Sequence, residues 1–137
     1  MFASHSLTGS RPDTSGNVYT TGAFYGLNVD FDPGAGIFYL SSNGSTPDAF
    51  VQKMDALGNF LWVKSFGGNP EVEAYSITTD ASGNVYTAGS FQGTIDFDPG
   101  AGVFNLTSNG GSDAFVQKMD ALGNFLWAKF FGGTSDE

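Results

Sequence analysis

Cysteine is absent from this 137-residue chain, which removes disulfides, thiolate nucleophiles and zinc–thiolate centres together. Its absence does not choose between the cell interior and the exterior. Basic residues are scarce: 5 Lys and Arg stand against 14 Asp and Glu, a formal net charge of -9. A surface that acidic repels phosphate, so neither nucleic acid nor an anionic membrane surface is expected as a partner. Histidine occurs once, at His5. Without a second His or any Cys a nucleophile–base pair is hard to assemble, so catalysis is not expected. No apolar run approaches the roughly 18 residues that a membrane-spanning helix requires. Residues 1–11 (MFASHSLTGSR) carry neither the basic n-region nor the apolar h-region of a signal peptide, so any export address is expected outside this chain.

What is present is said twice. Residues 48–62 read DAFVQKMDALGNFLW, and residues 113–127 repeat them without a change. DFDPGAG recurs at 30–36 and 96–102, and SGNVYT at 15–20 and 82–87. The offsets are 67 for SGNVYT, 66 for DFDPGAG and 65 for the long motif, which places one-residue deletions near Gly93 and Gly110 of the second copy. Both fall in Gly- or Ser-rich stretches, where loops tolerate changes of length. The sequence therefore divides into two units, 1–68 and 69–137. A repeat of about 66 residues needs neighbours to bury its faces. Near-identity of the copies points to recent duplication or to engineering. With 40% hydrophobic and 15% aromatic residues each unit has material for a core. The 20 glycines show no three-residue period, which excludes collagen.

In the second copy, 74–79 (AYSITT), 85–91 (VYTAGSF), 114–119 (AFVQKM) and 125–131 (FLWAKFF) read as four strands. Two D-x-x-G-N turns, 80–84 and 120–124, join them in pairs, because Asp bonds its own backbone and Gly accepts positive φ. The first copy repeats these turns at 13–17 and 55–59. Between the second and third strands lie some twenty residues from Gly93 to Asp113, long for a hairpin loop. This loop is expected to fold on itself, with 103–106 as a short edge strand. No segment has a helical period, so the fold class is all-β. Alternation places Phe125, Trp127, Lys129 and Phe131 on one side of the last strand, and Leu126, Ala128 and Phe130 on the other. Both faces are largely apolar, so each small sheet must be covered on both sides. Four-stranded sheets stacked around an axis, as in a β-propeller, satisfy that requirement. The Ala-, Ser- and Thr-rich first strand suits the crowded axis and the aromatic fourth strand the outer rim.

The ordered combination of D-x-x-G-N-V-Y, DAFVQK and G-N-x-L-W resembles the bacterial beta-propeller repeat family (SBBP repeats) over almost the whole chain. That resemblance implies exported or cell-surface proteins built of many tandem blades, with no shared catalytic residue or cofactor. The count departs from the pattern, because two blades cannot close a ring and propellers use about 4–8. The chain is therefore expected to complete a propeller with itself, as a homo-trimer of six blades or a homo-tetramer of eight. The termini are expected to cut between blades, placing Glu137 near Met1 of the next copy.

The candidate sites are few. Asp30/Asp32 and Asp96/Asp98 each place two carboxylates on one side of an extended backbone and are the candidate Ca²⁺ ligands. Calcium takes about 6–8 oxygens, and the sequence does not show the others. The competing reading of Asp98-Pro99-Gly100 is a turn with Asp accepting backbone N–H groups. Trp62 and Trp127 read as packing residues between blades, with stacking on a sugar as the alternative. Lys53 and Lys118 read as solvated or outer-strand residues. The sequons 43–45 and 105–107 matter only in a eukaryotic secretory route. Three function classes follow: a self-associating structural and interaction module, a lectin-like carbohydrate binder using the repeated loops, and, least favoured, an enzyme. An open head-to-tail filament is the alternative to a ring.

Overall fold

The computed structural model describes residues 3–13, 15–43, 46–68 and 70–132, and for 3–11 the backbone alone. The side chain of His5, residues 44 and 45 of the first sequon, and both chain ends lie outside the described residues. Among the described residues there is no helix. Twelve strands run in chain order: β1 (Ala3–Pro12), β2 (Val18–Gly26), β3 (Val29–Asp30), β4 (Tyr39–Leu40), β5 (Asp48–Met54), β6 (Phe60–Phe66), β7 (Val72–Thr79), β8 (Val85–Phe91), β9 (Thr94–Asp96), β10 (Asn105–Thr107), β11 (Asp113–Met119) and β12 (Phe125–Phe131). They form two four-stranded antiparallel sheets, ordered β1-β2-β5-β6 and β7-β8-β11-β12, and two small hairpins, β3-β4 and β9-β10.

The D-x-x-G-N turns hold the meanders together. At Asp80 the Oδ1 atom accepts the N–H groups of Ser82 (3.0 Å) and Asn84 (2.9 Å), while Oδ2 accepts Asn84 Nδ2 (3.0 Å) and the Tyr86 hydroxyl (3.0 Å). Asp13, Asp55 and Asp120 make the same backbone and Asn bonds. The Gly of each turn sits at φ 84–85°, a conformation that a Cβ would strain. Bonds from Asn59, Asn84 and Asn124 hold the Asp55, Asp80 and Asp120 carboxyls below the usual range.

The long loops fold into hairpins of their own. Asn105–Thr107 pairs with Thr94–Asp96 and not with either large sheet, so the expected edge strand is a strand of a separate hairpin. This hairpin turns back over the face of its own sheet, because Phe97 packs on Phe91 (5.2 Å between ring centres) and Phe115 (4.9 Å). In the first unit Phe31 lies on Phe24 and Phe50 in the same way.

One grouping of side chains is corrected. Met119 pairs with Phe125 and Lys118 with Trp127, with a bulge between them. The extra residue turns Phe125 to the side of Ala128 and Phe130, away from Trp127. Phe125 and Phe130 accordingly pack on one buried cluster with Ala128.

The two sheets stack face to face. The principal core joins Tyr19, Ala49, Val51 and Phe66 of the first sheet to Val72, Ala74, Ile77, Val85, Phe91, Phe115 and Met119 of the second, with Ile95 and Phe97 of the hairpin. Between the sheets the backbones meet chiefly where β7 packs against β1 and β2. Farther out the β9-β10 hairpin intervenes: Phe97 lies 5.6 Å from Phe66 between ring centres, and Asp96 bridges to Gly67. A smaller cluster of Phe24, Val29, Phe31, Phe50 and Val63 covers the opposite face of the first sheet.

Candidate functional site

The junction between the two sheets is closely packed, and the residues corresponding to its two sides recur on the other face of each sheet. Inside, Phe66 of β6 inserts against Phe97 (5.6 Å) and Phe115 (5.9 Å) of the second unit. Trp62 Nε1 and Lys53 Nζ both donate to the carbonyl oxygen of Ala121, each at 3.2 Å, so the first sheet grips the β11–β12 turn of the second. Lys53 Nζ also stands 5.2 Å above the Tyr19 ring, a cation–π contact. Lys53 is thus neither solvated nor on an outer strand, since it lies part-buried on β5 and ties the units together. Sequence pattern missed it; its recurrence beside Tyr and Trp in both copies was the available signal.

On the outer face of the first sheet lies a cleft of about 310 Å³, bordered by Thr20, Phe31, Phe50, Gln52 and Met54 with Asp30, Asp32 and Pro33. Its counterparts in the second unit are Thr87, Phe97, Phe115, Gln117 and Met119, all of them buried beneath the first sheet. On the outer face of the second sheet stand Tyr86, Ala114, Val116, Lys118, Trp127 and Phe131. Lys118 Nζ lies 5.1 Å over the Tyr86 ring and Trp127 packs edge-on at 6.3 Å, as Lys53 and Trp62 do on Tyr19. Phe131 is 63% exposed while its counterpart Phe66 is 3% exposed.

The carboxylate pairs are placed in turns. Asp30 Oδ1 accepts the N–H groups of Asp32 and Phe38 (each 3.0 Å), and Asp32 Oδ1 accepts that of Gly34 (2.8 Å). Asp96 and Asp98 repeat this with Asp98, Phe104 and Gly100. Bonds from Phe38 and Asp32 hold the Asp30 carboxyl below its ordinary range. Among the described residues no three acidic or His side chains gather as a metal-ligand cluster.

Two further carboxylates are buried. Asp48 Oδ2 accepts the backbone N–H and the Nδ2 of Asn43, both at 3.0 Å, while Oδ1 has no partner. Burial outweighs those bonds and pushes the Asp48 carboxyl up to about 6. Asp113 Oδ2 accepts the Asn109 N–H at 2.7 Å, and its Oδ1 is likewise unpartnered. Gly67 and Gly132 lie against these carboxylates, and a Cβ at either would overlap the Oδ1 atom.

Residues 61–90 match the SBBP family, the beta-propeller repeat. The resemblance drawn from the sequence is therefore borne out over residues 61–90, which carry a propeller repeat within an antiparallel, all-β chain. The matched segment runs from β6 across the junction to β8. An uncharacterized WD repeat-containing protein of Acanthamoeba polyphaga mimivirus is 30% identical over 81 residues, 49% of this chain and 6% of that protein. The regulatory protein FlaEY of Caulobacter vibrioides is 28% identical over 90 residues, 66% of this chain and 9% of its own length. The chain thus spans only a small part of the curated relatives that it matches.

Proposed function

We propose that this chain is a non-catalytic propeller module of two blades whose immediate activity is head-to-tail association with copies of itself. The carrying observation is the cleft on the first sheet, whose counterpart residues in the second unit are covered by a sheet built from the same repeat. Unit one supplies the covering face and unit two the covered one. One chain therefore presents a free covered-type face at one end and a free covering-type face at the other. Such a contact is heterologous, and it closes as a ring or continues as a filament. A ring needs an even number of blades, so three chains give six and four give eight. The titratable groups support a structural role, because the turn carboxylates are engaged by backbone N–H groups. Light scattering tests the proposal. It expects a mass three or four times the chain's 14.4 kDa; a folded species that stays at the single-chain mass on concentration refutes it.

A further inference from the structure

Resting on that self-association, we infer that the joint between copies is keyed by Phe131, which enters the first-sheet cleft of the next copy and packs against Phe31 and Phe50. Trp127 Nε1 and Lys118 Nζ of the same chain donate to the Ala56 carbonyl oxygen of that neighbour. The occupant of the cleft is a second copy of this chain.

The inference follows from the junction inside one chain. There Phe66 meets Phe97 and Phe115, and the offsets of the repeat turn these three into Phe131, Phe31 and Phe50. Trp62 and Lys53 become Trp127 and Lys118, and the acceptor Ala121 becomes Ala56. The two sides of the joint are already shaped for this. Phe31 and Phe50 meet in a tilted pair 5.0 Å apart between ring centres, as Phe97 and Phe115 do at 4.9 Å. Lys118 holds the same station over Tyr86 that Lys53 holds over Tyr19. Met54 lines the cleft, while Met119, its counterpart, is fully buried. A joint of this kind also buries Met54 and draws the Ala56 turn against the neighbouring Trp.

Two variants, each damaging one side, test this. Phe131→Asp puts a charge on the entering ring and leaves the cleft whole. Met54→Glu puts a charge in the cleft and leaves the entering face whole. Both positions are solvent-accessible in the single chain, and far-UV circular dichroism checks that each variant folds. In sedimentation velocity each alone is expected at the single-chain mass. Their mixture is expected to form a capped pair of one chain each, and no larger species, because only one competent joint can form. Trp127→Phe keeps the ring, loses the N–H donor, and is expected to weaken assembly roughly tenfold. Wild-type protein that assembles while Phe131→Asp assembles unchanged overturns the keyed joint but leaves self-association standing. Folded variants that do not pair when mixed, beside an assembling wild type, also overturn it. A wild type that never assembles refutes the underlying association instead.

Discussion

Trp62 and Trp127 occupy identical sequence contexts, and replacing each by Ala separates the packing within a chain from the packing between chains. Trp62 is half-buried against the principal core and donates to the Ala121 carbonyl oxygen. Truncating a fully buried Trp costs roughly 3–5 kcal/mol. A half-buried ring loses about half of that, and the vacated carbonyl adds about 1 kcal/mol. Trp62→Ala should therefore cost about 3 kcal/mol, a fall of about 10 °C in melting temperature for a chain of this size. Trp127 covers only its own sheet, edge-on to Tyr86. Trp127→Ala should cost the dispersed chain about 1 kcal/mol.

The difference reappears on assembly. In the proposed assembly Trp127→Ala should remove about 2 kcal/mol from each joint between copies, a weakening of roughly 30-fold. The assay is a set of thermal melts across a dilution series, paired with sedimentation velocity at the same concentrations. Trp62→Ala should lower the melt at every dilution, and Trp127→Ala chiefly where wild type is assembled. Equal losses from both variants in the dispersed chain would falsify the distinction between inner and outer faces. Were Trp127→Ala to leave melting and mass unchanged and abolish sugar binding on a glycan array, the indole would be a ligand platform.

Three other outcomes are expected. The raised Asp48 carboxyl favours protonation in the folded chain, so its stabilising contribution is full below the ordinary carboxylate range and is lost as pH rises through about 6; melting temperature should rise between pH 7 and 5, and Asp48→Asn should remove that rise. Asp55, Asp80 and Asp120 have the opposite sign, because their lowered carboxyls stabilise the fold above the ordinary range and stop doing so as pH falls through their folded values; the melt should therefore drop again in stronger acid, and Asp80→Asn should blunt that drop. Gly89→Ala should destabilise by more than about 2 kcal/mol, since its Cβ would overlap the Glu73 carbonyl oxygen of β7, a backbone atom with nowhere to move; urea denaturation measures it, and an unchanged midpoint would sink the reasoning.

Much of the fold was legible because local chemistry dictates it. The D-x-x-G-N turns need only Asp, Gly and Asn at fixed spacing, and β8 and β12 fall on the residues that alternation marks. β7 begins at Val72, two residues before the expected start, because Val72 and Glu73 pair with Phe91 and Ser90 of the next strand. What alternation could not show was the bulge at Lys118/Met119, because a bulge changes pairing without changing composition. That one irregularity reassigned Phe125. Lys53 was misread for a related reason: a charged side chain on a strand looks solvated until a neighbouring unit supplies its carbonyl and its ring. The carboxylate pairs were legible as turns, and the buried Asp48 and Asp113 were not singled out, since nothing local marks a carboxylate for burial.

The two copies of DAFVQKMDALGNFLW serve as each other's control. Their sequences agree at every position, so differences in burial come from what lies beside them. In β5 the residues Ala49 and Val51 are buried and Met54 is half-exposed; in β11 Met119 is buried and Ala114 and Val116 are half-exposed. On β5 the face that β11 buries throughout is covered at Asp48 and Phe50 and open at Gln52 and Met54. The face that β5 buries at Ala49 and Val51 is half-open at Ala114 and Val116 of β11. A strand with apolar residues on both faces is stable in water only when both are covered, and in the proposed assembly a second copy supplies either missing cover. If the proposed ring closes, its size follows from the angle between neighbouring sheets. Inner strands set it by how closely they approach, and the β9-β10 hairpin sets it by how thick a wedge Phe97 and its neighbours place between the two sheets beside Phe66. Ala74, fully buried on β7, presents only a methyl group at the inner edge, while Phe97 fills the outer gap. A small residue inside and an aromatic one outside open the angle, which favours six blades over eight. Enlarging the inner residue, as in Ala74→Val, should narrow the angle and raise the assembly mass toward that of four chains. A mass unchanged by Ala74→Val in a folded, assembled protein would show that the outer wedge alone sets the ring.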